Sequence, residues 1–243
     1  MLRVGCSGWV YRDWRGLVYP ESLPSTRWFN WYAEHLDTVE LNSTFYRLPT
    51  EAAVRRWAEQ APPGFLYAAK VGQFATHRKK LVGSEWWLPR HLERIRLLGE
   101  HLGPNLFQLP PHWRANAARL DELCSRLPDD IRWAVELRDP SWLDDAVFDV
   151  LRRHDVALCV HDLLADHPFE LTASWTYVRF HGTNALTAPY HGRYGPGRLQ
   201  RWVDRLAEVN AAGGDAWCYF NNDWHGDAFR DATWLAAALA EIG

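Results

Sequence analysis

The chain has 243 residues, is 47% hydrophobic and 23% charged, and carries a formal net charge of −3. This is the composition of an ordinary globular protein, and no stretch approaches the roughly 20 consecutive apolar residues that a membrane span needs. A slightly acidic chain has no global attraction for nucleic acid, so any such binding has to come from a local patch.

The length suits one (β/α)8 barrel of about 250 residues. No Pro/Gly/Ser-rich linker or charge-block boundary divides it, so a single domain over 1–243 is expected. The N-terminus enters a strand at once, without the apolar core of a signal peptide. The four cysteines, Cys6, Cys124, Cys159 and Cys218, form no CxxC pair, and three lie in predicted strands, where a thiol behaves as a small hydrophobe. These features predict a reduced, cytoplasmic protein.

In chain order, a first strand is predicted near 2–6. A long aromatic loop from Trp9 to Pro24 follows, then a helix over 26–35 opened by Ser25. A second strand spans 38–42. Thr50 opens a helix near 51–61, with Val54 and Trp57 spaced for one face. The third strand covers 66–70, and a long loop carries His77-Arg78-Lys79-Lys80 and Trp86-Trp87. A helix over 90–101 precedes the fourth strand at 105–109. Asn116 caps a helix running to Leu127. The fifth strand is 132–138, the next helix 143–154, and the sixth strand 156–161. The segment 162–174 contains Pro168 and has no 3.6-residue period. The seventh strand, 175–181, leads through a Gly/Tyr loop to a helix over 198–211. The eighth strand is 215–221 and the last helix 227–241. Alternating strands and helices imply a parallel sheet, and eight strands argue for closure.

The strands share a pattern: apolar along their length, polar or charged at the C-terminal end. Side chains two apart on a strand share a face, so Glu40 with Asn42, Glu136 with Arg138, and Arg179 with His181 each point the same way. In a closed barrel that end is where binding and catalytic groups collect. Only three of the 27 basic residues are lysines, and one, Lys70, ends a strand. Lysine is a compact charge whose pKa burial can move, so it is not interchangeable with arginine.

Ordered segments throughout the chain resemble the YecE-like proteins, domain-of-unknown-function family 72. They include Gly5-Cys6-Ser7-Gly8-Trp9-Val10-Tyr11, Thr38-Val39-Glu40-Leu41-Asn42-Ser43-Thr44-Phe45-Tyr46, Lys70 with Thr76-His77, and Phe107-Gln108-Leu109-Pro110-Pro111. Further segments are Val135-Glu136-Leu137-Arg138-Asp139-Pro140-Ser141-Trp142, Tyr177-Val178-Arg179-Phe180-His181-Gly182 and Tyr219-Phe220-Asn221-Asn222-Asp223. The resemblance implies a TIM barrel, similar in shape to the xylose-isomerase-like barrels that include endonuclease IV. It implies no settled activity.

The residues themselves point to a small anionic ligand, phosphorylated or carboxylated, with sugar-like molecules among the candidates. Glu40, Glu136 and Lys70 are the catalytic candidates. Arg138, Arg179 and His181 would clamp the anion, since guanidinium forks match phosphate and carboxylate. Asn42, Tyr46, His77, Gln108, Trp142, Asn221 and Asn222 complete the ligand-binding set. Glu40, Glu136, Asp162 and His181 also form an oxygen/nitrogen set able to hold Mg²⁺, Mn²⁺ or Zn²⁺. Lys70, Arg138 and Arg179 in the same mouth oppose a cation, so no metal or other cofactor is predicted. Too few strand-end histidines exist for the multi-zinc set of the endonuclease relatives. The alternative is a nucleic-acid-binding barrel that uses the basic loop and the loop aromatics without turnover. No membrane partner is expected.

Overall fold

The computed structural model describes residues 1–242. Eight parallel strands form a closed barrel in sequence order: β1 (Leu2–Cys6), β2 (Thr38–Leu41), β3 (Leu66–Lys70), β4 (Leu102–Gln108), β5 (Trp133–Glu136), β6 (Ala157–His161), β7 (Trp175–Phe180) and β8 (Asp215–Phe220). The helices are α1 (Trp28–Ala33), α2 (Ser43–Tyr46), α3 (Glu51–Gln60), α4 (Ser84–Ile95), α5 (Ala117–Cys124), α6 (Asp145–Arg153), α7 (Gly195–Ala211) and α8 (Asp227–Ala240). Among the described residues no helix is assigned between β6 and β7, so the sixth crossover is irregular, as its missing periodicity predicts. No described helix is long and apolar enough to cross a membrane.

The chain falls into two compact units. One holds Met1–Glu40, His161–Ala165 and the chain from Tyr177; the other holds Leu41–Val160 and Asp166–Thr176. In the first, β1 pairs with β8 in continuous register from Leu2↔Ala216 to Cys6↔Phe220, and with β2 through Cys6↔Val39. Gly5 is required at this pairing, because a Cβ there would overlap the Thr38 carbonyl. The aromatic loop after β1 packs on itself and on neighbouring helices. Trp14 is fully buried and donates its indole N–H to the Asp223 carbonyl at 2.7 Å. Tyr19 stacks on Trp28 at 4.6 Å, and Trp31 meets Phe229 at 5.2 Å.

In the second unit, β3, β4, β5 and β6 pair in order. Its apolar core joins Phe107, Trp133, Trp142 and Leu158 to the inward faces of α4, α5 and α6. Thr50 and Asn116 cap α3 and α5 as predicted, their side-chain oxygens accepting from Ala53 and Arg119 backbone N–H groups.

Several expectations are corrected. Ser25 opens no long helix: a 3-10 turn over Ser25–Arg27 precedes the short α1, and Ser25 makes no cap bond. The helix expected at 90–101 starts at Ser84, and its last part, Arg96–His101, is 3-10. Pro89 resembles a helix start, but burial of Trp87 and Leu88 carries the helix back through it. Trp86 and Trp87 are therefore helical, not loop residues. Residues 74–78 form a π-helical turn and 43–46 the short α2, where a loop was expected.

Candidate functional site

The first unit builds a buried polar chain. Glu40, on β2, is fully buried, and its carboxylate accepts from Ser7 Oγ at 2.5 Å, Tyr177 Oη at 2.6 Å and Arg179 Nη2 at 2.8 Å. Tyr177 and Arg179 are two apart on β7, which is why both reach one carboxylate. Burial pushes the Tyr177 pKa well up, and the Glu40 charge adds to it, so the phenol is a donor. Arg179 Nη1 stands 3.3 Å from His181 Nε2.

His181 lies one residue past β7. Its Nδ1 is 3.0 Å from Asp162 Oδ1, and its backbone N–H donates to the same oxygen at 2.9 Å. A proton assigned to Nδ1 leaves Nε2 to accept from Arg179. The Tyr194 hydroxyl donates to Asp162 and accepts from the Gly182 N–H at 2.7 Å. Desolvation first, then the Asp162 charge, raise the Tyr194 pKa.

Asn222 Nδ2 donates to Gly192 O and Asp231 Oδ2, both at 3.0 Å. Asp231, nearly fully buried, also accepts from the Tyr194 and Gly195 N–H groups at 2.9 and 3.0 Å. It thus places a carboxylate at the N-terminus of α7, where the helix dipole favours negative charge. Asn221 is buried and its N–H donates to Phe180 O at 2.7 Å.

In this unit Arg179 pairs with Glu40, while Asp162 is held by His181 and Tyr194 and Asp231 by Asn222 and the start of α7. Arg179 and Glu40 are thus ionic partners, both fully buried.

The second unit builds a different cluster from the ends of β3, β4 and β5. Lys70, 5% exposed, donates to Gln108 Oε1 at 2.8 Å, and its ammonium lies 4.6 Å from the Phe45 ring centroid. Gln108 is in register with Glu136 on β5. Arg138 lies two residues beyond the end of β5, and its Nε pairs with the fully buried Glu136. His77, on the π-helical turn, is 2.9 Å from Thr76 Oγ1 through Nδ1 and packs edge-on to Phe45 at 5.1 Å. Its pKa is lowered by burial, then by the Arg138 and Lys70 charges, with Glu136 opposing. Lys70 and Arg138 therefore act on one locus together with a single carboxylate.

Three further expected residues are Asn42, Tyr46, which packs edge-on to Phe45 at 5.2 Å, and Trp142. Asn42 has helical φ/ψ at the start of α2, so its shared parity with Glu40 ends there. Tyr46 is 72% exposed on α2. Trp142 is fully buried, donates to Trp113 O at 2.5 Å and packs edge-on to Trp113, so it belongs to the core and not to a ligand face.

Of the metal-capable set, Glu40, Glu136 and Asp162 are each engaged by protein cations or hydroxyls, as given above. Among the described residues no group of three or more His, Cys, Asp or Glu is placed to hold a metal ion. Tyr177, Tyr194, Asp231 and Phe45 were missed as site residues. Tyr177 was legible by parity, two positions before Arg179. Asp231 lies in the middle of an amphipathic helix and carries no local signal.

Comparisons agree with this frame. The model of the family described as "Protein of unknown function DUF72" matches residues 3–242. The UPF0759 protein YecE of Escherichia coli K12 is 28% identical over 143 residues, 58% of this chain and 50% of that protein. The matched stretch therefore spans half the length of the curated relative. A DUF72 family protein from Thermotoga maritima has the same fold at TM-score 0.85, with 24% identity and 99% of each chain covered. Another, from Enterococcus faecalis, gives 0.83 at 21% identity, covering 99% of this chain and 96% of that one.

Proposed function

The chain belongs to the DUF72 family, whose description leaves its activity open, and from the geometry we propose that it binds a small phosphorylated or carboxylated molecule at Lys70 and Arg138. The observation that carries this reading is that two cations, Lys70 at the end of β3 and Arg138 just beyond β5, act together with one carboxylate, Glu136, on His77. An anion would offset the surplus charge that holds the His77 pKa down. Gln108 and His77 supply neutral polar contacts and the Phe45 ring an apolar wall. Glu136, held by Arg138, is the base candidate if the bound molecule reacts. Lys70 remains the second catalytic candidate, as an electrostatic stabiliser of developing negative charge.

The test is a thermal shift with inorganic phosphate. Ligand at one hundred times its dissociation constant stabilises the folded state by about 2.7 kcal/mol, which such an assay resolves. Arg138→Gln, which retains a donor toward Glu136 and removes the charge, should lose the shift. Stabilisation by Mn²⁺ or Zn²⁺, lost in Glu136→Gln, with no response to phosphate, overturns the reading.

A further inference from the structure

A recess lies in the same unit; it shares Phe45 with the Lys70 cluster and is otherwise lined by other residues. It occupies about 420 Å³ between α2, the segment 71–78 and α4. That volume lies within the range of small-molecule pockets. Two features separate it from an ordinary surface hollow.

The first is charge. Arg47, Arg78 and Arg90 line it, and no Asp or Glu does. None of the three is held by a hydrogen bond or ion pair among the described residues. Several arginines elsewhere are committed: Arg96 pairs with Asp130, Arg126 with Glu85 and Glu122, and Arg153 with Asp121. His91, also in the lining, donates from Nε2 to Asn105 Oδ1 at 2.8 Å and is held neutral by burial, its pKa lowered to about 4. The recess thus has three positive side chains in a chain of net charge −3.

The second is aromatic exposure. Trp86 is 75% exposed, Tyr46 72% and Phe74 50%, and all three stand at this one recess. Large rings clustered in water mark a binding surface more often than a packing remainder. Flat apolar faces beside guanidinium groups match a ligand with a planar ring and a phosphate. Rings stack on tryptophan and tyrosine, and the arginine fork takes phosphate oxygens in two parallel bonds. A volume of about 420 Å³ suits one ring with one phosphate.

We propose that this recess is a binding site for a nucleoside monophosphate, with Trp86 and Tyr46 contacting the base and Arg78 and Arg90 the phosphate. It is carried by residues outside the Lys70–Arg138 cluster and stands or falls independently of that reading. The experiment is calorimetric titration of the full chain with AMP, adenosine, inorganic phosphate and an oligothymidylate of ten nucleotides. AMP should bind saturably with one site, at least tenfold more tightly than adenosine. Trp86→Ala should weaken AMP by about tenfold, within the range of one base–aromatic stack. Arg78→Gln with Arg90→Gln should weaken it similarly, while Arg138→Gln leaves it unchanged. These side chains are exposed, so the variants should keep the wild-type melting temperature. Absence of saturable AMP binding, or AMP binding indifferent to Trp86→Ala, overturns the proposal. So does loss of AMP binding in Arg138→Gln with retention in the Arg78/Arg90 variant, which moves the ligand to the other cluster. Binding of the oligothymidylate a hundredfold more tightly than AMP overturns it in favour of a polymeric strand.

Discussion

At the scale of single residues, the Glu40–Arg179 pair decides the most. Both groups are fully buried, and a buried ion pair is costly to break from one side because the other charge is left uncompensated. Glu40→Gln should therefore cost on the order of 3–5 kcal/mol in guanidinium unfolding. The double variant Glu40→Gln with Arg179→Met should recover part of that loss, since no lone charge then remains buried. A single-variant cost below about 1 kcal/mol, the level of an exposed pair, would show that the network is dispensable.

Two other residues set the pH response. Desolvation raises the Asp223 pKa from 3.8 to about 6 and lowers that of His91 from 6.5 to about 4. Asp223 binds its proton more tightly folded than unfolded, so its contribution to stability falls as pH rises from about 4 to 6. His91 binds its proton less tightly folded, so its contribution rises with pH from about 4 to 6.5. The two oppose each other across one window. Asp223→Asn should raise stability at pH 7 by at most about 3 kcal/mol, two pKa units at about 1.4 kcal/mol each, with solvent screening reducing it, and should steepen the acid limb by exposing the His91 effect. Melting temperatures between pH 4 and 7 check this; an unchanged profile would remove Asp223 from the account.

At the scale of elements, the caps and the turns carry separate information. Thr50 and Asn116 each satisfy a first-turn N–H of a helix, so Thr50→Ala and Asn116→Ala should each cost about 1 kcal/mol. Gly182 follows β7 with φ at 105°, and a Cβ there would overlap the His191 carbonyl. Gly182→Ala should cost more than either cap, because strain and collision add. Equal losses from all three, measured by urea unfolding, would contradict that ordering. These same elements show what was legible. Thr50 and Asn116 advertised their helices because capping is local chemistry. The start of α4 was not legible, since Pro89 imitates a first helical residue and the burial of Trp87 that overrides it is tertiary. The helix α2 hid behind the strand-like run ending at Asn42.

At the scale of the whole molecule, the net charge of −3 separates the rival readings. A single small anion on the Lys70–Arg138 cluster predicts a shallow salt dependence, with log K falling against log salt at a slope near −1. A nucleic acid held by many phosphates predicts a slope of about −0.9 per phosphate on a duplex or −0.7 on a single strand. Phosphate affinity measured between 50 and 300 mM salt distinguishes them, and a steep slope with duplex DNA would favour the polymer.

Much of the frame was determined by the sequence alone. Strand number, parallel order, the irregular sixth crossover and the polar strand ends all follow from alternation and from the two-residue period of a strand. The pairs Glu136–Arg138 and Arg179–His181 do meet, because that period is local. Tertiary structure alone decided which charges neutralise which. Glu40 reaches Arg179 across 139 positions of sequence, and Asp231 reaches the start of α7 from the middle of α8. Such partners are chosen by how strands and helices come together, and no local period encodes them. That choice paired Arg179 with Glu40 and brought Lys70, Arg138 and Glu136 to bear on His77.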